Sequence, residues 1–173
     1  LVRTPSAEPA HLLSALDSGA TGVLVPHIRN GAEAEAAARA AHFGPGGRGY
    51  AGSTRAAGFA GRPIAEHMAR SREETVVIGQ IEDAEALDAV DAILAVDGLD
   101  AVFVGRIDLT VSLGATRPDA PEVVAAVETI VAKAAAAGRP VGMFTPTVEE
   151  ALVWRDKGAR FFLLGSDQSF MMA

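Results

Sequence analysis

Two heptapeptides, Val76-Val-Ile-Gly-Gln-Ile-Glu82 and Val102-Phe-Val-Gly-Arg-Ile-Asp108, decide the expected fold of this 173-residue chain. Each places three apolar residues, a glycine, a polar residue and an isoleucine before a carboxylate. Short, β-branched apolar runs of this kind are typical of buried parallel strands. From residue 76 to residue 102 the offset is 26 residues, which suits a strand plus its crossover helix. The pair therefore predicts neighbouring β/α units with both carboxylates at the C-terminal ends of their strands.

The same alternation continues outward in both directions. Besides 76–81, strands are predicted at 1–2, 22–26, 101–104, 141–144 and 161–164, and helices at 8–17, 32–41, 64–72, 84–95, 121–137 and 148–157. Alternating β and α with apolar strands predicts a parallel sheet covered by helices. An open sheet that binds a dinucleotide would carry Gly-x-Gly-x-x-Gly directly after a strand. Here the glycine-rich loop, 44–52, follows a helix, which favours a TIM-type (β/α)8 barrel.

The barrel is expected to be incomplete. We count about six β/α units, whereas the eight of a full barrel take about 250 residues. We expect one β/α barrel domain over residues 1–173, truncated at both ends, with the first two units and the last helix missing. Such a sheet has two open edges, which favour pairing with another chain. The sequence is accordingly interpreted as a fragment, or as a protein that a partner completes.

Composition excludes several classes of function. The formal net charge is −7, and basic residues are interspersed with acidic ones, so nucleic acid is not expected as a partner. The absence of cysteine excludes disulfides, thiolate nucleophiles and zinc–thiolate sites, and it fits a cytoplasmic protein. No apolar run approaches the roughly 20 residues of a membrane helix, so no membrane partner is expected.

The candidate site consists of polar side chains at predicted strand ends. Glu82 and Asp108 would hold a hard divalent cation, act as an acid/base pair as in a glycosidase, or cap the following helices. Their strand-end placement favours the metal. Gln80 shares a face with Glu82 and would donate to a substrate oxygen or be a satisfied buried amide. Arg3 would anchor an anionic substrate or form a surface salt bridge.

Five motifs in order link the chain to a known family. They are Leu-Val-Arg at 1–3, Val-Leu-Val-Pro at 23–26, Gly-x-Arg-Gly at 46–49, Gln-Ile-Glu at 80–82 and Phe-Val-Gly-x-x-Asp-Leu at 103–109. Together they resemble the HpcH/HpaI aldolase family, the metal-dependent (class II) pyruvate aldolases, over nearly the whole chain. The resemblance implies a lyase that cleaves or forms 4-hydroxy-2-oxo acids through a pyruvate enolate, with a small 2-oxo acid and an aldehyde as its partners. The implied cofactor is Mg²⁺ or Mn²⁺, which Co²⁺ or Zn²⁺ would replace.

The resemblance also assigns roles to residues. It places the metal ligands at Glu82 and Asp108, the keto-acid anchor at Arg3, the pocket glutamine at Gln80, the carboxylate-binding turn at Gly105, Arg106 and Ile107, and the aldehyde side at Phe144 and Ser166. Arg106 stands where many relatives have proline, so it would contact substrate or point outward to a carboxylate.

Histidines and arginines outside these positions are interpreted more plainly. The family's general base is a histidine in an Asp-x-Glu-His segment that does not occur in this chain. Glu66-His67 is interpreted as a surface pair. His27 is the only histidine near a strand end, and it would poise a water, orient a metal ligand or serve as an ordinary loop histidine. Arg48 and Arg55 are expected at the mouth of the barrel, facing anionic groups.

Other functions remain open at this level. The same metal and enolate chemistry serves a citrate-lyase-like or malyl-CoA-type lyase. The missing base favours a different class, a non-catalytic truncated barrel that assembles with other subunits. Relatives in the family are commonly oligomers, so a homo-oligomer, a trimer or hexamer, is expected.

Overall fold

The architecture is a single parallel sheet with helices along its connections. The structure, a computed structural model, describes residues 1–172. Its strands are β1 (Val2–Arg3), β2 (Gly22–Val25), β3 (Val76–Ile81), β4 (Ala101–Val104), β5 (Val141–Thr145) and β6 (Phe161–Leu164). Its helices are α1 (Pro9–Asp17), α2 (Gly31–Ala41), α3 (Ile64–Glu74), α4 (Val90–Leu94), α5 (Arg106–Ser112), α6 (Pro121–Ala136), α7 (Val148–Lys157) and α8 (Asp167–Met171), with a 3₁₀ turn at Ala84–Ala89 before α4.

The strands pair in the order in which they occur in the chain, β1-β2-β3-β4-β5-β6, and every pair is parallel. A doubly wound sheet would reverse its order at a switch point. This sheet does not, and it curls into a half-barrel. The α/β class and the barrel-type winding are thus confirmed for the six strands.

The two faces of the sheet bury different sets of residues, because successive side chains of a strand point to opposite sides. The convex face packs on the helices and forms the main core, which includes Val23, Val77, Val102, Val141 and Met143. The concave face carries a smaller cluster, Leu24, Ile78, Ala101 and Phe103, with Phe161 beside it. Both faces are apolar, which explains why the strands read as continuous apolar runs.

Helix α5 is the element that the sequence did not predict. It starts two residues after β4 ends and contains the β-branched Ile107, Thr110 and Val111, which are weak helix formers. The other predicted elements agree with the structure to within about two residues at most ends. No helix within residues 1–172 is long and apolar enough to cross a membrane.

The register between β3 and β4 corrects the interpretation of the two heptapeptides. Ile78 pairs with Ala101 and Gln80 with Phe103, an offset of 23 residues and not of 26. By this pairing the neighbour of Glu82 on the next strand is Gly105. Asp108 lies three residues further on, in the first turn of α5. The prediction that Asp108 ends a strand is therefore wrong, because the chain turns into a helix before reaching it.

Candidate active site

Glu82 follows the last residue of β3 and is completely buried. Its Oε1 accepts the backbone N–H of His27 at 3.0 Å, and its Oε2 accepts the side-chain amide of Gln80 at 2.5 Å. Burial raises the pKa of the Glu82 carboxyl, and the nearby charge of Asp108 raises it further. The hydrogen bond and charge of His27 and the charge of Arg3 act in the opposite direction. The site thus holds a buried carboxylate that no lysine or arginine within residues 1–172 contacts.

Gly105 makes the closest backbone approach to this carboxylate. A Cβ at Gly105 would lie 2.3 Å from Oε2 of Glu82 and 2.7 Å from Nε2 of Gln80. The Gly105 N–H is bonded to the carbonyl of Ile81 at 3.0 Å, which ties the turn to the neighbouring strand. Only glycine leaves room for Glu82 here, since any side chain would displace it.

Asp108 reaches the site from the first turn of α5. It is exposed, and its charge acts on Glu82, so the two carboxylates are near neighbours. The first hydrogen bond of α5 runs from the Leu109 N–H to the Gly105 carbonyl at 2.9 Å. The three amides between these residues therefore have no partner within the helix, as at any helix start.

A pocket of about 280 Å³ opens beside Glu82, between the C-terminal ends of three strands. Its walls are Gln80, Phe103, Val104, Gly105, Arg106, Ile107, Asp108, Phe144 and Pro146. Gln80 is 8% exposed, and its Oε1 has no hydrogen-bond partner within the part of the chain that the structure describes. A buried polar atom of this kind is uncommon and indicates a missing ligand or water.

The predicted site residues fall into three groups. The structure brings together Gln80, Glu82, Gly105, Arg106, Ile107, Asp108 and Phe144. Arg3 lies on edge strand β1, in register with Leu24 on the concave face, and its charge lowers the pKa of Glu82. Ser166 lies after the opposite edge strand, outside the pocket, where its Oγ accepts the Ser169 N–H at 3.1 Å and caps α8.

Arg106 lines the pocket, but its guanidinium forms an ion pair with Glu150 at the start of α7. Its side chain is only 15% exposed. Of the two roles open to it, the pairing matches the outward contact with a carboxylate. The ion pair links α5 to α7, so it stabilises the turn at Gly105 from outside.

His27 contributes to the site mainly through its backbone. Its φ of 55° is unusual for a residue other than glycine and turns its N–H toward Glu82. Its half-exposed ring places Nδ1 3.1 Å from Oδ2 of Asp83 and 3.5 Å from Oε1 of Glu82. The sequence singled out the histidine but gave no sign of this backbone conformation.

Replacing His27 with glycine is therefore expected to leave the site working. The N–H that holds Glu82 is kept, and glycine adopts the positive φ without strain. We expect metal affinity to change by no more than about threefold, as for a surface side chain. Titration calorimetry with Mn²⁺ measures this. A much larger loss would show that the ring itself binds the ion.

Two interpretations of polar residues away from the site are wrong. His67 is 4% exposed and packs between the rings of Phe43 and Tyr50, so it is not a surface residue. Arg48 and Arg55 lie beside Thr21 and Thr75, the residues just before β2 and β3. The loop that carries them follows α2, which returns the chain to the N-terminal end of the sheet, away from the mouth.

The donor set was considered for a metal ion. Residues 1–172 contain no group of three or more His, Cys, Asp or Glu side chains arranged to hold one. A pair of carboxylates fits Mg²⁺ or Mn²⁺, because Mg²⁺ binds through one or two carboxylates and keeps waters or substrate oxygens for its other positions. A zinc site with three or four protein ligands does not fit.

A parallel half-barrel with a carboxylate pair and a pocket at the C-terminal ends of its strands has the architecture of a β/α-barrel enzyme. The model of the HpcH/HpaI aldolase/citrate lyase family matches residues 1–173, and the chain belongs to this family. The family comprises aldolases and lyases, and the sequence resemblance is confirmed.

Individual relatives give the same result. The chain is 36% identical over 172 residues to a 5-keto-4-deoxy-D-glucarate aldolase of Escherichia coli, which covers 96% of the chain and 65% of that protein. It thus spans just under two thirds of this curated relative. An HpcH/HpaI aldolase/citrate lyase family protein from Burkholderia cenocepacia superposes with a TM-score of 0.93 at 34% identity, over 99% of this chain and 68% of that one. A citrate lyase beta subunit from M. tuberculosis, solved with oxaloacetate and magnesium, shares the fold at 20% identity and a TM-score of 0.60, over 95% and 67% of the two chains.

Proposed function

We propose that the protein is a metal-dependent aldolase that cleaves or forms 4-hydroxy-2-oxo acids, with pyruvate or a close relative as one partner and an aldehyde as the other. The observation that carries this proposal is the buried Glu82 carboxylate, which has a raised pKa, lies near Asp108 and borders an open pocket. The aldolase named among the relatives supports the same class of reaction.

Glu82 and Asp108 are the proposed metal ligands, and the ion they fit is Mg²⁺ or Mn²⁺. A divalent cation between them would supply Lewis-acid stabilisation of the negative charge that develops when pyruvate loses a methyl proton. Glu82 contributes a carboxylate fixed by two hydrogen bonds, so little reorganisation is needed on binding. Asp108 is exposed and can adjust to the ion.

The remaining pocket residues suit a keto acid. The unpartnered amides of the first turn of α5, at Arg106 and Ile107, would hold the substrate carboxylate. The free Oε1 of Gln80 would accept a hydrogen bond from a substrate hydroxyl or a bound water. Phe144 forms an apolar wall for the aldehyde part, and Ser166 is proposed further out on that side. The proton-abstracting base is proposed to be a histidine outside residues 1–173.

Metal-dependent exchange of pyruvate methyl protons with deuterium oxide tests the proposal directly. We expect proton NMR to show loss of the methyl signal when Mg²⁺ or Mn²⁺ is added to the protein, and no loss in EDTA. Exchange that proceeds equally well in EDTA would overturn the metal-dependent mechanism. The upstream sequence supplies a second check, because an Asp-x-Glu-His segment one β/α unit before Leu1 is expected.

Replacing Arg3 with methionine is expected to weaken substrate binding without weakening metal binding. Methionine keeps much of the length of the side chain and removes the charge that would meet the keto acid. A lost charge-assisted hydrogen bond predicts a rise of about 10- to 100-fold in KM for pyruvate exchange. Titration calorimetry with Mn²⁺ should give a dissociation constant close to that of the unaltered protein. An unchanged KM would remove Arg3 from the site.

We also propose that the protein associates with further copies of itself. Apolar side chains are exposed on the edge strand β6 and on α8, namely Leu163, Leu164, Phe170 and Met171. Exposed apolar groups of this kind favour association. Light scattering coupled to size-exclusion chromatography tests the proposal, and a monomer at all concentrations would contradict it.

A further inference from the structure

A second pocket, of about 190 Å³, lies at the N-terminal end of the sheet, opposite the end that carries Glu82. It forms between the end of α1, the loop after α2, and α3. Its polar walls are dominated by basic residues: Arg48, Arg55, Arg62, His67 and Arg70. They come from separate parts of the chain, so only the folded structure brings them together.

The charges of this basic pocket do not balance. Arg48 pairs with Asp17 at 2.5 Å, and Arg70 pairs with Glu74 at 2.8 Å. Arg55 and Arg62 make no ion pair with any of residues 1–172. Four guanidiniums against two carboxylates leave two positive charges, in a chain whose net charge is −7. A local excess of this sign in an acidic protein needs an explanation other than solubility.

Arg48 is built into the pocket in a way that surface arginines are not. Its side chain is 2% exposed, its guanidinium lies 4.5 Å over the ring of Phe43, and its Nε has no hydrogen-bond partner within the part of the chain that the structure describes. A buried guanidinium normally has all its donors satisfied, because leaving a donor unpaired costs the desolvation of that group. The unpaired Nε therefore indicates a missing acceptor.

His67 supports the same conclusion. It is almost fully buried, and burial lowers the pKa of its imidazole, with the charges of Arg48 and Arg62 lowering it further. The pocket is thus positive enough to disfavour another cation, although acidic side chains lie nearby. An anion would relieve this repulsion.

We propose that this basic pocket binds a small oxyanion, a phosphate group. A phosphate carries a charge of about −1.5 to −2 at neutral pH, which matches the two unpaired guanidiniums. Planar guanidiniums bind phosphate oxygens in a bidentate manner. The volume equals that of about six water molecules, enough for a phosphate with a small substituent. The proposal does not depend on the activity proposed for the opposite end of the sheet.

Titration calorimetry with inorganic phosphate, at ionic strength fixed with sodium chloride, tests the proposal on the unaltered protein and on Arg55→Met and Arg62→Met. We expect saturable binding to the unaltered protein and a dissociation constant at least about tenfold higher in each variant. Arg117→Met is the matched control, because it removes one charge from an exposed arginine that pairs with Asp119 elsewhere. It should bind phosphate as the unaltered protein does.

Three outcomes would overturn the proposal. They are no saturable binding, equal weakening in Arg117→Met, or unchanged binding in both pocket variants that melt at the normal temperature. A titration with malonate distinguishes phosphate from carboxylate, since tighter binding of malonate would overturn the phosphate assignment. If a pocket variant fails to fold, the shift of the His67 ring signals on addition of phosphate to the unaltered protein decides. We expect a saturable shift, and no shift would contradict the site.

Discussion

Replacing Glu82 with glutamine is expected to lower metal-dependent exchange of pyruvate methyl protons by at least about 100-fold. The amide keeps the shape of the side chain but cannot supply the negative charge that holds a divalent ion. The hydrogen bonds can rearrange, because the amide of Gln80 can rotate and present its unpartnered oxygen to the new N–H donor. Glu85→Gln is a suitable control, since Glu85 is exposed on the following turn and its loss changes the charge equally.

The same substitution is expected to stabilise the metal-free protein. Burial raises the pKa of the Glu82 carboxyl above its value in the unfolded chain. At neutral pH the native state therefore carries an unfavourable buried charge, which glutamine removes. We expect a melting temperature a few degrees higher for the variant at pH 7.

The gain in stability should depend on pH in a definite direction. As the pH falls through the raised pKa of Glu82, the carboxyl of the unaltered protein takes up a proton and loses its unfavourable charge. The difference in melting temperature should therefore shrink toward acidic pH. Calorimetric melts in EDTA at several pH values measure it. A variant that is less stable at neutral pH and still exchanges pyruvate protons would contradict the role of Glu82.

Replacing Gly105 with alanine is expected to disable the site by displacement and not by loss of a ligand. The added methyl would lie 2.3 Å from Oε2 of Glu82, which no native contact tolerates, so the carboxylate or the turn must move. Overpacking of this kind costs about 1–3 kcal/mol of stability. A displacement of about 1 Å in a catalytic group lowers a rate about 100-fold, and we expect a loss of exchange of this size.

Gly49→Ala is the matched control, because a Cβ at Gly49 meets nothing within 4 Å. It should leave both melting temperature and exchange unchanged. Mn²⁺ titration of Gly105→Ala separates the causes: weaker binding shows that Glu82 moved, whereas unchanged binding with lost exchange shows that the amide turn moved. Normal exchange in Gly105→Ala would contradict the close packing of Gly105 on Glu82.

The elements that could be predicted from sequence are those with a strong local signal. The strands at 76–81 and 101–104 are short apolar runs, and their bounds agree with the structure. Helix α5 was missed because its β-branched residues and its start directly after a strand hide the helical pattern. The register between β3 and β4 was also out of reach, because repeated residue types suggested 26 where packing of the faces selects 23.

The candidate site follows the same division. Gln80 and Glu82 were placed on one face because strand residues alternate with a period of two, and the structure has both in the site. Gly105 was expected only as part of a turn, and its contact with Glu82 depends on three-dimensional packing. The backbone of His27 and the burial of His67 depend on distant partners, so no local pattern reveals them.

Glu82 also makes the metal site a check on how the sheet has assembled. Its carboxylate is held by the backbone that follows β2, by a side chain within β3 and by the glycine that follows β4. A slip of β3 by a single residue would turn Glu82 toward the helices, because alternate residues face opposite sides. A misassembled chain would therefore be unable to take up the ion. Metal uptake during refolding should thus appear only when the three strands have reached their native alignment, and it offers a proofreading step between assembly and activity.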